Sequence, residues 1–127
     1  MLAITPIYAA LIAILFVWLS ANVIRQRRRG RVSVGDGGDK AVLKAMRTHS
    51  NCAEYAPYAL LLVAMVELQG GGGLLVNLLG LTLLAGRVLH AYGFGKTPQI
   101  VVFRQIGMLL TFAAILISAV ANIILAL

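Results

Sequence analysis

The chain has 127 residues, 61% of them hydrophobic, with 11 Lys and Arg against 4 Asp and Glu, a net charge of +7 and a mean hydropathy of +0.93. Soluble domains are about half apolar, so a soluble globular domain is excluded, and the length allows a single domain over residues 1–127. The positive charge does not point to nucleic acid, because the basic residues gather where apolar runs end.

Four segments are long enough to cross a bilayer, which takes roughly 20 apolar residues each. The first is expected at Ala3–Ile24. It lacks a basic leading segment, and no small-residue cleavage site follows its long apolar run, so it reads as a retained helix and not a secretory signal. "RQRRRGR" (Arg25–Arg31) follows at once, then a Gly-rich loop ending at Asp39, placed to cap the second helix. That helix is expected at Ala41–Leu68, with a kink near Pro57. It ends at "GGGG" (Gly70–Gly73), with Glu67 solvated beside the turn. The third helix is expected at Leu74–Tyr92 and the fourth at Gln105–Leu127. "GKT" (Gly95–Thr97) between them is no phosphate-binding loop: His90 stands where the leading glycine belongs, and no strand precedes it. The expected architecture is an all-α integral membrane bundle of four transmembrane helices. Lys and Arg crowd the first and third loops and are missing from the second loop and both termini. The positive-inside rule then places both termini outside an inner or plasma membrane and the basic loops in the cytoplasm. The arginine cluster is a topology anchor that also meets anionic membrane lipid.

The second helix carries the chemistry. At 100° per residue Lys40, Lys44, Arg47, Asn51, Glu54 and Tyr58 fall within an arc of about 80°, with Tyr55 on its shoulder and His49 facing nearly away. Helix three adds Arg87 and His90 on one face, and Arg104 opens helix four. Gly107, Thr111, Ser118 and Asn122 form a stripe of small and polar residues suited to close helix packing in lipid. A carboxylate at membrane depth needs a cation or water. Arg47, Arg87 and Arg104 are the available cations for Glu54, either as a structural clamp or as the walls of a wet pocket. Several arginines against one acid favour the pocket and an anionic ligand. No metal is expected, because His49 and Glu54 face apart and no ligand spacing occurs. Cys52, the single cysteine, reads as a small packing residue.

"RTHSNCAEYAP" (Arg47–Pro57) resembles the second-helix signature of the MAPEG family, membrane-associated proteins in eicosanoid and glutathione metabolism: an arginine, then Asn, then Glu-Tyr, then Pro. "GRVLHAYG" (Gly86–Gly93) and "FRQIGMLLT" (Phe103–Thr111) resemble its third and fourth helices, so the similarity covers nearly the whole chain. The resemblance implies a homotrimer with glutathione, a co-substrate, bound between subunits near the cytoplasmic side. Arg47, Asn51, Glu54 and Tyr55 would line that site. Arg87 would brace it, His90 would lie beside it, and Arg27 or Arg28 would reach in from helix one. Arg104 would sit next to the thiol as the catalytic residue, and a hydrophobic electrophile or lipid-derived hydroperoxide would be the second substrate. One departure stands out: Phe94 occupies a position where some members carry tyrosine. Two other functions compete with this glutathione transferase or peroxidase. One is a small proton-coupled exporter working through Glu54; the other is a non-catalytic member of the same family.

Overall fold

A computed structural model describes all 127 residues. Four helices follow one another: α1 (Thr5–Gly30), α2 (Lys40–Leu68), α3 (Gly73–Gly95) and α4 (Val101–Ala126). Helices α1, α3 and α4 are long and apolar enough to cross a membrane. Helix α2, 29 residues long, spans about 43 Å at 1.5 Å per residue and carries the polar stripe from Lys40 to Tyr58. Helices α2 and α3 each pack against α1 and against α4, while α1 and α4 do not touch. The outer two therefore flank a central α2–α3 pair.

Helix α1 is longer than its apolar run. Arg25 to Arg29, expected in the loop, form its last turns, where cations meet the negative end of the helix dipole. Arg31 ends it in the left-handed region at φ 53°, and the Val32 N–H returns to the Arg27 carbonyl at 2.9 Å. Asp39 caps α2 as its position suggests, accepting from the Ala41 and Val42 N–H groups at 2.8 and 3.2 Å. Helix α2 stays helical through Pro57. Helix α3 runs on to Gly95 and α4 starts already at Val101, so the loop between them is shorter than the apolar pattern implied.

Glu67 is not a solvated surface acid. Its carboxylate accepts the backbone N–H groups of Ala3, Ile4 and Thr5 at 2.7, 2.7 and 2.8 Å. Helix α1 has no capping side chain of its own at Ile4. A carboxylate from α2 thus fills the orphan donors of α1 at the positive end of its dipole.

Two apolar clusters fill the bundle. Ile12, Leu19, Cys52, Ala56, Ala59, Leu83, Ala91 and Ala114 form the larger, which includes Cys52 as a packing residue. Val63, Val66, Val76 and Leu79 form the other, toward the "GGGG" turn. Helices α3 and α4 make the most extensive contact. A Cβ on Gly107 would lie 2.6 Å from the Gly86 carbonyl oxygen and 2.5 Å from the His90 nitrogen. Only paired glycines let these backbones approach so closely. Farther along the stripe, Asn122 donates to the Leu62 and Ser118 carbonyls at 3.0 and 2.8 Å, tying α4 to α2.

Candidate functional site

The close α3–α4 packing brings Arg87 into the bundle, where it is 1% exposed. Its Nε donates to Thr111 Oγ1 at 3.0 Å. Its Nη1 donates to Asn51 Oδ1 at 2.6 Å and weakly to the Asn51 carbonyl at 3.4 Å. Its Nη2 meets the Met108 sulfur at 3.3 Å, and its Cζ lies 5.8 Å from the centre of the Tyr55 ring. Every one of these partners is neutral. A buried cation is costly unless it is paired and hydrogen-bonded, and here hydrogen bonds and the Tyr55 ring hold it without a carboxylate.

The bundle contains four acids, and three are spent on backbone. Asp36 accepts the Gly38 N–H, Asp39 caps α2, and Glu67 caps α1. Glu54 is exposed on α2 and takes no part in the side-chain bonds of its own chain. The expected clamp between Glu54 and an arginine does not form within one chain, because Asn51, one turn away, takes Arg87 instead. Arg47 and Tyr58 are exposed on the same face, while Asn51 and Tyr55 are half-buried at its edge toward α4. The Tyr55 ring meets Phe112 edge-on at 5.7 Å. His49 stacks on Phe16 of α1 at 4.7 Å, on the far side of α2 as its place on the helix requires.

A second group forms where α3 gives way to α4. His90 is buried and lies 5.6 Å from Phe94, ring to ring. The exposed Arg104 sets its guanidinium 4.3 Å from the centre of the Phe94 ring and donates to Gln99 Oε1 at 3.2 Å. Arg27 is half-buried, with Nη2 on the Met46 sulfur at 3.4 Å, and Arg28 is exposed. Both belong to α1, which does not contact α4.

Within one chain, then, Asn51, Tyr55 and Arg87 come together, as do His90 and Arg104. Arg27 and Arg28 do not join them, and Glu54 meets no cation. The sequence reading missed Thr111 and Met108 as partners of Arg87. In sequence Thr111 belongs to the small-residue packing stripe; it follows the close-approach Gly107 by one helical turn, opposite the turn of Gly86 and Arg87.

Four packed helices, a buried arginine held by neutral groups and a charged face directed out of the bundle define a small polytopic membrane protein. The chain belongs to the MAPEG family, whose family model matches residues 5–124. It is 38% identical over 120 residues to the inner membrane protein YecN of Escherichia coli strain K12, covering 94% of this chain and 90% of that protein. The YecN of Escherichia coli O6:H1 strain CFT073 matches to the same extent.

Proposed function

We propose that this chain is an inner-membrane, glutathione-dependent transferase or peroxidase whose site is completed between copies in a homotrimer. The observation that carries the reading is the unpaired Glu54 carboxylate, exposed on α2 between Arg47 and Tyr58 and beside an Asn51 amide fixed by Arg87. An isolated charge facing lipid costs several kcal/mol. A neighbouring subunit and a charged ligand relieve that cost together. The separation of α1 from α4 supports a shared site, because a ligand touching both Arg28 and Arg104 is reached most simply from two copies.

Glutathione carries two carboxylates and an ammonium. Arg47 and an arginine from α1 suit the carboxylates, with bidentate geometry. Glu54 suits the ammonium, and the Asn51 amide fixes the peptide. Arg104 lies toward the thiol. A cation there favours thiolate, the reactive form of a thiol with an ordinary pKa of about 8.5. The thiolate sulfur then attacks an electrophilic carbon supplied from the lipid side, and the leaving group takes the electron pair. With a lipid hydroperoxide the sulfur attacks the distal peroxide oxygen, and a second thiol completes the reduction to alcohol, water and disulfide. Phe94 favours a second reading, a family member that binds glutathione without turning it over, since the ring under Arg104 offers no hydroxyl.

Calorimetry of the detergent-purified protein with glutathione tests the reading, alongside thiolate absorbance in the ultraviolet. Binding is expected in wild type and lost in Arg47→Ala and Glu54→Ala; the thiolate signal is expected to vanish in Arg104→Ala. Binding without thiolate favours the non-catalytic reading. A folded oligomer that ignores glutathione overturns both and directs attention to proton-coupled export through Glu54.

A further inference from the structure

A second polar cavity lies away from the face of Glu54. It occupies about 370 Å³ between α1, α2, the end of α3 and the loop that follows. Trp18, Asn22 and Gln26 line one wall from successive turns of α1; Lys44 of α2 and Lys96, the first residue after α3, line the cavity with them. None of the residues proposed for glutathione lines it.

Both lysines lack a carboxylate. The Lys44 ammonium donates to the Lys96 carbonyl at 2.6 Å and to Thr97 Oγ1 at 2.7 Å. The Lys96 ammonium sits 4.8 Å from the centre of the Tyr92 ring. The acids cannot neutralise them, since three cap or brace backbone N–H groups and Glu54 lies outside the cavity. Asn22 accepts from Arg25 at 2.8 Å through its oxygen, which leaves its amide N–H groups to donate elsewhere. Two cations with neutral partners and free amide donors make a site for an anion with several oxygens.

The remaining walls set the depth and the kind of anion. Leu19, Ala45 and Ala91 give the cavity an apolar floor. Trp18 is 56% exposed, and indoles of membrane helices settle at the headgroup level. The arginines of the last turns of α1 lie just beyond, at the end that attracts anionic lipid. A soluble anion has no use for an apolar floor and an exposed indole; an amphiphile has use for both. We infer that this cavity holds the phosphodiester headgroup of an anionic phospholipid, with Lys44 and Lys96 on the phosphate, Asn22 and Gln26 on the headgroup hydroxyls and Trp18 against the first chain carbons.

Trp18 is the single tryptophan of the chain, so its fluorescence reports on this cavity directly. The full chain in neutral detergent is titrated with short-chain phosphatidylglycerol, phosphatidylcholine of the same chains, inorganic phosphate and glutathione. Phosphatidylglycerol is expected to shift Trp18 emission saturably, and the other three are not. Lys44→Gln and Lys96→Gln are each expected to weaken the phosphatidylglycerol response roughly fivefold, with Lys44→Arg retaining it. Lys96→Gln carries the test if Lys44→Gln does not fold, because the Lys96 side chain leans only on a ring. Equal responses to the two lipids, or a phosphatidylglycerol curve unchanged in both glutamine variants, overturn the proposal. Saturation by inorganic phosphate in competition with the lipid makes the cavity a soluble-anion site and overturns it as well. A glutathione response that competes with phosphatidylglycerol gives the cavity to the thiol peptide and overturns both this assignment and the placement of glutathione at Glu54.

Discussion

Arg87 of α3 and Asn51 of α2 are joined by a 2.6 Å hydrogen bond, and through it a buried cation is held by an amide and not by an acid. The consequence reaches Glu54. With Arg87 occupied by Asn51, Thr111 and Met108, the carboxylate one turn along α2 remains free for something outside its own chain.

Removing the amide should therefore cost more than a surface hydrogen bond. Asn51→Leu leaves the Arg87 Nη1 without its best acceptor in a buried place, and an orphaned buried donor costs about 1–3 kcal/mol. The expected outcome is a lower unfolding temperature in detergent together with loss of glutathione binding. Glu54→Gln, exposed and unpaired within the chain, should lower binding with little change in that temperature. Equal destabilisation by the two substitutions would show that Glu54 is structural.

The Glu67 carboxylate makes a separate prediction at the other end of the bundle. It serves three consecutive N–H groups of the start of α1, where Ile4 supplies no cap. Loss of a capping side chain costs about 0.5–2 kcal/mol. Glu67→Ala should fray the start of α1 and speed amide exchange at Ala3, Ile4 and Thr5, while exchange in α3 stays slow. Glu67→Gln, which keeps an acceptor oxygen, should lie between the two.

Glu67 also marks where sequence reasoning stops. Local spacing made Asp39 readable as a cap, because donor and acceptor are two and three residues apart. Glu67 meets α1 across more than 60 residues, and no local pattern carries that. The four helices and their order were legible from apolar runs, but α1 and α3 exceed those runs because Arg25–Arg29 and Gly93–Gly95 continue the helical backbone beyond the apolar core. The polar stripe on α2 followed from helical periodicity. The choice of Arg87 for Asn51 over Glu54 depends on the rotation of α2 against α3, which periodicity alone leaves open.

Gly107 tests the close approach that sets this rotation. A methyl group there would meet the Gly86 carbonyl oxygen and the His90 backbone, neither of which is a flexible side-chain tip. Gly107→Ala should push α4 from α3 and destabilise the bundle by about 1–3 kcal/mol, the usual range for overpacking. It should also disturb the Arg87–Thr111 bond, since Thr111 lies one turn along α4 and its hydroxyl already donates to the Gly107 carbonyl at 2.8 Å. Unfolding in a detergent series measures the first effect and glutathione affinity the second. Substitution at Gly95, where no neighbour lies within 4 Å of a Cβ, is the control and should leave both unchanged.

Phe94 decides between the catalytic and non-catalytic readings. Its ring lies between the His90 ring at 5.6 Å and the Arg104 guanidinium at 4.3 Å, so a hydroxyl added to it would stand close to the group assigned to the thiol. A well-placed hydrogen-bond donor at a developing thiolate adds to what a cation supplies, and positioned proton-transfer groups contribute about 10²–10⁴-fold in other enzymes. On the catalytic reading, wild type turns over a hydrophobic electrophile through Arg104 alone, and Phe94→Tyr raises the rate with glutathione affinity little changed. On the non-catalytic reading, wild type binds glutathione without forming thiolate, and Phe94→Tyr is the single substitution expected to restore a thiolate signal. Turnover with glutathione and a model electrophile, measured in wild type, Phe94→Tyr and the Phe94→Tyr, Arg104→Ala double variant, separates the two. A gain that survives removal of Arg104 would show that the hydroxyl acts without the cation and would reassign the catalytic role from Arg104.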